Sequence, residues 1–305
     1  MRVFITGAAG YIGTYLLGYL EGKGYQVTAC DIRSLPSGMP ELKDVTFLLK
    51  DCTKLMRGDL VGYDAIIHLA AVSSHADCNA NPKRARILNV WGTVNLAKAA
   101  KAAGVKRFIF ASTAAIYQRP LGQEEFPKES VEVQPIDIYS DTKFQAEEKI
   151  LALSSENFWV IVPRFGTVYG NSFRMRWDIL VNIFTQQAML EGVLTLFDGG
   201  EAWRPLVFIG DVARCYEWAL HASVQGVFNI SEGDYTVKQV AEIFRSKATA
   251  KETVLNVQPN LRPQEVMSYK MDTSKARVHG FECLYKLEEV LGEELLKFSE
   301  RVRLR

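Results

Sequence analysis

Short apolar runs alternate with amphipathic stretches through the first half of the chain. The runs at 2–6, 26–31, 45–50, 65–70, 107–112 and 159–164 are rich in Val, Ile and Phe and apolar at most positions. That is the signature of strands covered on both faces. Residues 11–22, 82–103 and 137–155 between them read as helices, and Gly24 and Gly104 sit just past two of these, where a left-handed C-cap residue is expected. Strand and helix alternating in this way predict an α/β chain built on a Rossmann-type, doubly wound parallel sheet with right-handed crossovers.

The pattern loosens after Gly170. A helix is expected over 177–191, a strand over 193–197 and a turn at Asp198-Gly-Gly-Glu201. Short apolar runs at 207–209 and 227–230 flank a helix over 211–222, and helices over 237–247 and 284–303 complete the chain. No exposed linker separates the halves. The expected division is a dinucleotide-binding domain over 1–166, rejoined by 206–231, interwoven with a smaller α/β substrate domain over 167–205 and 232–305.

Composition narrows the class. The chain has 305 residues, 48% of them hydrophobic, which is enough for a full core without disulfides or metals. Its 36 basic and 35 acidic residues leave no charge excess to recommend nucleic acid or a membrane as partner. The five cysteines, Cys30, Cys52, Cys78, Cys215 and Cys283, are far apart, with no CxxC pair or metal-ligand spacing, and read as reduced thiols. Met1 leads directly into the first strand, so the expectation is a cytoplasmic protein without a signal peptide. The sequon at Asn229-Ile-Ser231 is then a coincidence.

The first turn carries chemistry. In Thr6-Gly-Ala-Ala-Gly-Tyr-Ile-Gly13, Gly7 permits a tight turn, Gly10 lets a pyrophosphate approach the backbone, and Gly13 lets the helix pack on the sheet. The helix N-terminus behind them offers free N–H groups to an anion. Asp31, ending the second strand, can accept both ribose hydroxyls of NAD and repel the extra phosphate of NADP, an exclusion that nearby Arg33 weakens. Asp51 and Cys52, after the third strand, are expected beside the adenine.

Tyr139-Ser-Asp-Thr-Lys143 sets a phenol and an ammonium four residues apart on one helical face. A free tyrosine titrates near ~10, so a cation beside it should lower that value and make it usable as a base. Thr113, on the loop after the fifth strand, could share the same substrate oxygen. His68 fits a buried strand end rather than a ligand.

With these residues in view, the chain resembles the extended short-chain dehydrogenases/reductases, in the NAD-dependent nucleotide-sugar epimerase/dehydratase branch. The resemblance spans essentially the whole chain. It is carried by the glycine motif, His68-Leu-Ala-Ala71, Asn89-Val-Trp-Gly-Thr-Val-Asn-Leu96, Ser112-Thr-Ala-Ala-Ile-Tyr117, Pro135 ahead of Tyr139, and Pro163-Arg-Phe-Gly-Thr-Val-Tyr-Gly170. Arg204 before Val207-Phe-Ile-Gly-Asp-Val212, Phe228-Asn-Ile-Ser231, Arg262-Pro263 and Asp272-Thr-Ser-Lys-Ala-Arg277 extend it.

The resemblance implies Thr113, Tyr139 and Lys143 as catalytic residues. It implies Gly7, Gly10, Tyr11, Ile12, Gly13, Asp31, Arg33, Asp51, Cys52, Leu69, Ala70, Ala71, Asn89, Ser112 and Pro163, with Tyr139 and Lys143, around NAD. Ser73, Thr113, Thr167, Arg174, Phe197, Arg204 and Arg262 are implied around a nucleotide-diphosphate sugar, the two late arginines on the diphosphate and Phe197 against the base. No metal is implied. Thr167 stands where relatives usually have Asn, and Asn171 where they have Pro.

Relatives that dehydrate their sugar follow the catalytic Ser/Thr with an acid. Here Ala114-Ala115 follows, small enough for a roomy pocket wall, so the expected reaction is epimerisation at C4 through a 4-keto sugar. A 4-keto reductase or another nucleotide-sugar dehydrogenase or dehydratase is the alternative, and a non-catalytic dinucleotide sensor a third. The resemblance further implies a homodimer, with helices 82–103 and 137–155 pairing into a four-helix bundle through residues such as Leu88, Val90, Leu96 and Phe144.

Overall fold

A computed structural model describes residues 1–247, 254–258 and 266–303. β1 (Arg2–Thr6) turns into α1 (Tyr11–Leu20), and β2 (Gln26–Asp31) and β3 (Val45–Leu49) follow. β4 (Ala65–His68) leads through α2 (His75–Ala80) and α3 (Pro82–Arg86) to α4 (Thr93–Ala102). β5 (Arg107–Phe110), β6 (Ser112–Thr113) and β7 (Arg119–Pro120) precede α5 (Ile138–Leu151). Then come β8 (Trp159–Phe165), β9 (Thr167–Tyr169), α6 (Leu180–Gln186), β10 (Val193–Phe197), β11 (Trp203–Phe208) and α7 (Ile209–His221). β12 (Gly226–Ile230), β13 (Gly233–Thr236), α8 (Val237–Lys247), β14 (Val254–Gln258), β15 (Met267–Ser268), α9 (Ser274–Val278) and α10 (Leu287–Arg303) finish the chain.

The main sheet is parallel, in the order β12-β8-β5-β4-β1-β2-β3, with β6 prolonging it beside β8. Strand order reverses between β1 and β4, and a crevice opens at such a switch point, beyond the carboxyl ends of the strands. One apolar core packs α1 and α7 on one face, through residues such as Leu16, Leu17, Val212 and Tyr216. The other packs α4 and α5 on the opposite face, through Leu96, Ala97, Ala146 and Ile150. A third cluster joins α6, α8 and α10 to β10 and β11, with Phe184, Leu196, Leu206 and Phe244 at its centre. A smaller sheet, β13-β11-β9, borders the crevice, and β10 pairs with β14.

Several elements differ from expectation. β3 is an edge strand and not a doubly covered one: Leu49 is 68% exposed. The run at 107–112 breaks into β5 and β6. The helix expected over 82–103 is α3 and α4 joined by a wide π-helical turn, Ile87–Gly92. Val90 and Leu96 on it are buried inside this chain, at 2% and 1%, so they are not dimer surface; Ile87 and Trp91, at 48% and 57%, are exposed instead. Phe144 packs on the cluster of Ala114, Ile116 and Tyr117. Helix 177–191 begins only at α6, ending in a second π-helical turn, Gln187–Glu191, that Gly192 closes at φ 73°. Among the described residues, no helix is long and apolar enough to cross a membrane.

Candidate active site

The glycine turn after β1 meets the end of β4 at the crevice. Gly7 has φ +70°, and a Cβ there would come within 2.5 Å of the Ala70 nitrogen. A Cβ on Gly13 would meet the Gly7 carbonyl oxygen at 2.5 Å, so that glycine is required for helix against turn. Gly10 differs: a Cβ would meet only the Gly7 oxygen, at 3.0 Å. It caps α1 without any side-chain hydrogen bond, which leaves first-turn amides facing the opening. Asp31 is buried. Its carboxylate accepts from the Ala9 and Arg33 amides, both at 3.0 Å, tying the end of β2 to the glycine turn. The Tyr11 phenol donates to the Gly170 carbonyl at 2.6 Å, a lock between α1 and β9, so only its backbone faces the opening.

α5 carries the tyrosine and lysine. Asp137 caps it, accepting from the Ser140 amide at 2.9 Å, so Tyr139 lies in the first turn and Lys143 one turn deeper. Thr113 ends β6, near enough to the Tyr139 phenol to help lower it. The three expected catalytic side chains therefore converge at the carboxyl end of the sheet. His75, whose Nδ1 lies 3.3 Å from an Asp137 carboxylate oxygen, presents its ring to Tyr139 edge-on at 5.1 Å.

Their electrostatics depart from expectation. Burial pushes the Tyr139 phenol up to about 12, against the positive charge of Arg176 and the Thr113 hydrogen bond, which both pull it down. Lys143 is itself depressed by burial to about 7, with Glu147 opposing. Its Nζ lies 4.1 Å from the centre of the Phe110 ring and makes no hydrogen bond among the described residues. The protein alone does not pre-ionise the phenol.

Other expected contacts turn out to be scaffolding. The buried Asn89 amide accepts from Val72 N at 2.8 Å and donates to Val72 O and Thr142 Oγ1 at 3.0 and 3.1 Å, so both its hydrogens are committed. It bolts the loop after β4 to α5 and has no donor left for a dinucleotide. The Ser112 hydroxyl is likewise committed to Glu147. Glu147 in turn grips Arg164 in a buried pair, at 2.6 Å. Pro163 is buried in β8. His68 is buried between Thr6 and Thr93, at 2.6 and 2.9 Å, and burial lowers it to about 3, which fits the structural role expected of it. Ala114 and Ala115 are buried, at 0% and 3%, so their size serves packing and not a roomy wall.

At β9 and β11, Thr167 Oγ1 lies 3.3 Å from the Tyr269 hydroxyl, and the Arg204 guanidinium sits over the Tyr269 ring at 5.2 Å. Arg204 donates to the Trp203 and Met267 carbonyls, both at 2.7 Å, and pairs with no carboxylate among the described residues. Phe197 is half exposed at the end of β10. Arg262 lies outside the described residues. Arg174 donates to the Ser34 carbonyl at 3.0 Å, three residues after Asp31. Its neighbour Arg176 donates to the Ser73 hydroxyl at 3.2 Å. Leu69, Ala70 and Ala71 are partly exposed along the crevice. Asp51 caps the turn at Cys52–Lys54 through Thr53, and with Ile32, Asn81 and Ile87 it lines an open groove beyond β2.

Residues 3–231 match the model of the NAD dependent epimerase/dehydratase family. The chain belongs to this family. Its members are enzymes of nucleotide sugars that depend on NAD. UDP-glucuronic acid decarboxylase 1 of Arabidopsis thaliana is 26% identical over 313 residues, spanning 99% of this chain and 71% of that protein. The solved UDP-glucose 4-epimerase of Thermotoga maritima, with UDP-glucose, is 28% identical, with a TM-score of 0.86 over 99% of this chain and all of that one. MoeE5, solved with NAD and either UDP-glucose or UDP-glucuronic acid, is 26% identical, with a TM-score of 0.85 over 99% of this chain and 100% of its own.

The residues present fit NAD. At Gly10 a Cβ would meet only the Gly7 oxygen, whereas at Gly7 and Gly13 several protein atoms fill the space, and the end of α1, without a side-chain cap, looks into that turn.

Proposed function

We propose that the chain is a nucleotide-sugar C4 epimerase working through a transient 4-keto sugar, on a uridine diphosphate sugar like those named for its relatives. The observation that carries this reading is the meeting of Thr113, Tyr139 and Lys143 at the crevice with a buried alanine pair following Thr113. Dehydration needs an acid to expel water, and neither position has one.

When bound, NAD accepts a hydride from the sugar and returns it. The Gly7–Gly13 turn, the amides of Tyr11 and Ile12, and the segment 69–71 would hold the dinucleotide, with Asp31 and Arg33 at its adenosine ribose, Asp51 and Cys52 beside the adenine, and Lys143 at the nicotinamide ribose. Thr113 would position the sugar 4-hydroxyl and Tyr139 exchange its proton. Burial holds the phenol up at about 12, so it must lose its own proton before it can take that of the sugar; the Arg176 charge, and the oxidised nicotinamide ring when NAD is bound, would favour that phenolate. The keto sugar then turns and is reduced on its other face, returning the same proton. Such a turn requires firm grip on the diphosphate, suited to the carboxylate-free Arg204 and to Arg262, with Phe197 against the base. Thr167 and Ser73 would contact the sugar.

For the division of labour we propose 1–166 with 206–231 as the dinucleotide unit, supported by β12 completing the main sheet, and 167–205 with 232–305 as the sugar unit. The small sheet runs across that boundary through β11. We further propose a cytoplasmic homodimer formed by the exposed faces of the 82–103 and 137–155 helices.

The test is incubation of the NAD-loaded enzyme with UDP-, GDP-, CDP- and dTDP-sugars, read by mass spectrometry and NMR. A product of unchanged mass, inverted at C4, supports the reading. Loss of water or of carbon dioxide overturns it. Stoichiometric consumption of reduced cofactor when a nucleotide 4-keto sugar is added indicates the keto-reductase alternative, which uses the same residues.

A further inference from the structure

The Tyr139 phenol has to part with its own proton before it can take another, and the fold offers that proton few ways out. Asn89 cannot carry it, because both its amide hydrogens are committed to Val72 and Thr142. Lys143 is buried one helical turn deeper, with its Nζ on the Phe110 ring, so a proton passed to it stays inside. Arg176 keeps its charge at any working pH. Cys78 and Tyr269 also act on the phenol, and both are buried.

His75 is different. It opens α2, and its ring meets the Tyr139 ring edge-on, with centroids 5.1 Å apart at 64°. Its side chain is 48% exposed, so one imidazole touches both the catalytic ring and solvent. Nδ1 lies 3.3 Å from Oδ1 of Asp137, the N-cap of α5. The other Asp137 oxygen is buried and has no hydrogen-bond partner among the described residues. Burial raises the Asp137 carboxyl, but His75 and the Ser140 amide hold it below the ordinary carboxylate range. A carboxylate on one nitrogen fixes an imidazole's orientation and leaves the other nitrogen to exchange protons. Around the ring stand Asp77 and Cys78 on its own helix, Asp137 and Tyr139 on α5, and Arg176 with Asp178 on the segment after β9.

We infer that His75 is the outlet through which the Tyr139 phenol releases its proton to solvent. The phenol O–H breaks and an imidazole N–H forms, directly or through one water. The ring then gives a proton to bulk water, each proton leaving its bonding pair behind. Asp137 is the positioning residue for His75. The inference rests on Tyr139 as the proton-exchanging group and not on which sugar is bound.

The experiment is a stopped-flow pH jump on the NAD-loaded protein in weak buffer, without sugar, following the ultraviolet absorbance of tyrosinate. Tyr139→Phe supplies the signal to subtract. His75→Phe keeps an aromatic ring against Tyr139 but carries no proton, and His75→Ala leaves room for added imidazole. Wild-type protein should ionise Tyr139 about 100-fold faster than either variant, the low end of what a positioned proton carrier contributes. Imidazole should restore the rate in His75→Ala and not in His75→Phe. A wild-type rate in His75→Phe assigns the ring to packing and overturns the inference, as does a slow His75→Ala that imidazole leaves slow. Either result leaves the sugar chemistry intact, since no sugar is present. Absence of any Tyr139-dependent signal overturns the outlet together with the phenolate role of Tyr139. His75→Phe decides even if His75→Ala fails to fold.

Discussion

Lys143 lies with its ammonium 4.1 Å from the centre of the Phe110 ring, one helical turn below Tyr139, and burial there lowers it to about 7. An unfolded lysine holds its proton to about 10.4. Between these values the unfolded chain binds more protons, so this residue makes stability rise with pH across that window. Its cost is full below about pH 7 and gone above the unfolded value. Lys143→Met should therefore raise the melting temperature by several degrees at about pH 6, with the gain fading toward about pH 10. A gain independent of pH in calorimetric scans would contradict this.

Removing only the phenolic hydroxyl tests proton exchange. Tyr139→Phe should lower turnover by ~10³-fold or more, as loss of a general acid–base does. NAD affinity and melting temperature should hold, because that ring packs edge-on with His75 and not on the glycine turn. Near-normal activity in the folded variant would remove Tyr139 from the mechanism.

Asp31 should give a preference for NAD over NADP. Its carboxylate also anchors the Ala9 amide, so Asp31→Ala should narrow the ratio of affinities about tenfold while weakening NAD itself. Fluorescence titration of both dinucleotides reads this directly. Equal wild-type affinities would point to Arg33 and Arg174 compensating the carboxylate.

Two glycines close together in sequence should respond in opposite ways. Gly7→Ala drives a methyl to 2.5 Å from the Ala70 nitrogen at a left-handed backbone position, and should cost about 3 kcal/mol or more along with NAD binding. At Gly18, on the exposed side of α1, an added Cβ meets nothing within 4 Å. Gly18→Ala should stabilise by up to ~1 kcal/mol. Urea unfolding of both variants checks the contrast.

The dimer surface can be tested at the residues found exposed. Light scattering at micromolar concentration should give a dimer, and Ile87→Glu with Trp91→Glu should give a monomer with an unchanged far-ultraviolet spectrum. A wild-type monomer would refute the association.

The sheet was legible because its strands are buried and apolar, and the glycine turn because three backbone constraints fall at fixed spacing. Thr113, Tyr139 and Lys143 were legible from chemistry tied to a strand end and a helix face. Burial was not. A cation placed four residues from a phenol predicts a lowered phenol, whereas burial depresses the cation and raises the phenol. Asn89 looked like a ligand because hydrogen-bond saturation appears only in three dimensions. Arg174 and Arg176 formed a visible basic pair, but which of the two reaches Ser73 and which Ser34 depends on a loop path set by Tyr11 and Asn182. β9, β13 and β15 went unread, being two to four residues long in segments without alternation.

The buried Arg164–Glu147 pair joins β8 to α5 one turn beyond Lys143. Breaking such a pair costs about 3–5 kcal/mol, since the remaining charge is stranded. The catalytic helix thus cannot detach from the sheet without exposing that charge. Amide hydrogens in the middle of α5 should exchange with deuterium only when the whole sheet opens, while those of α2 and α3 escape through local fluctuations. The helix that carries the proton-handling tyrosine should therefore exchange more slowly than the two short helices beside it.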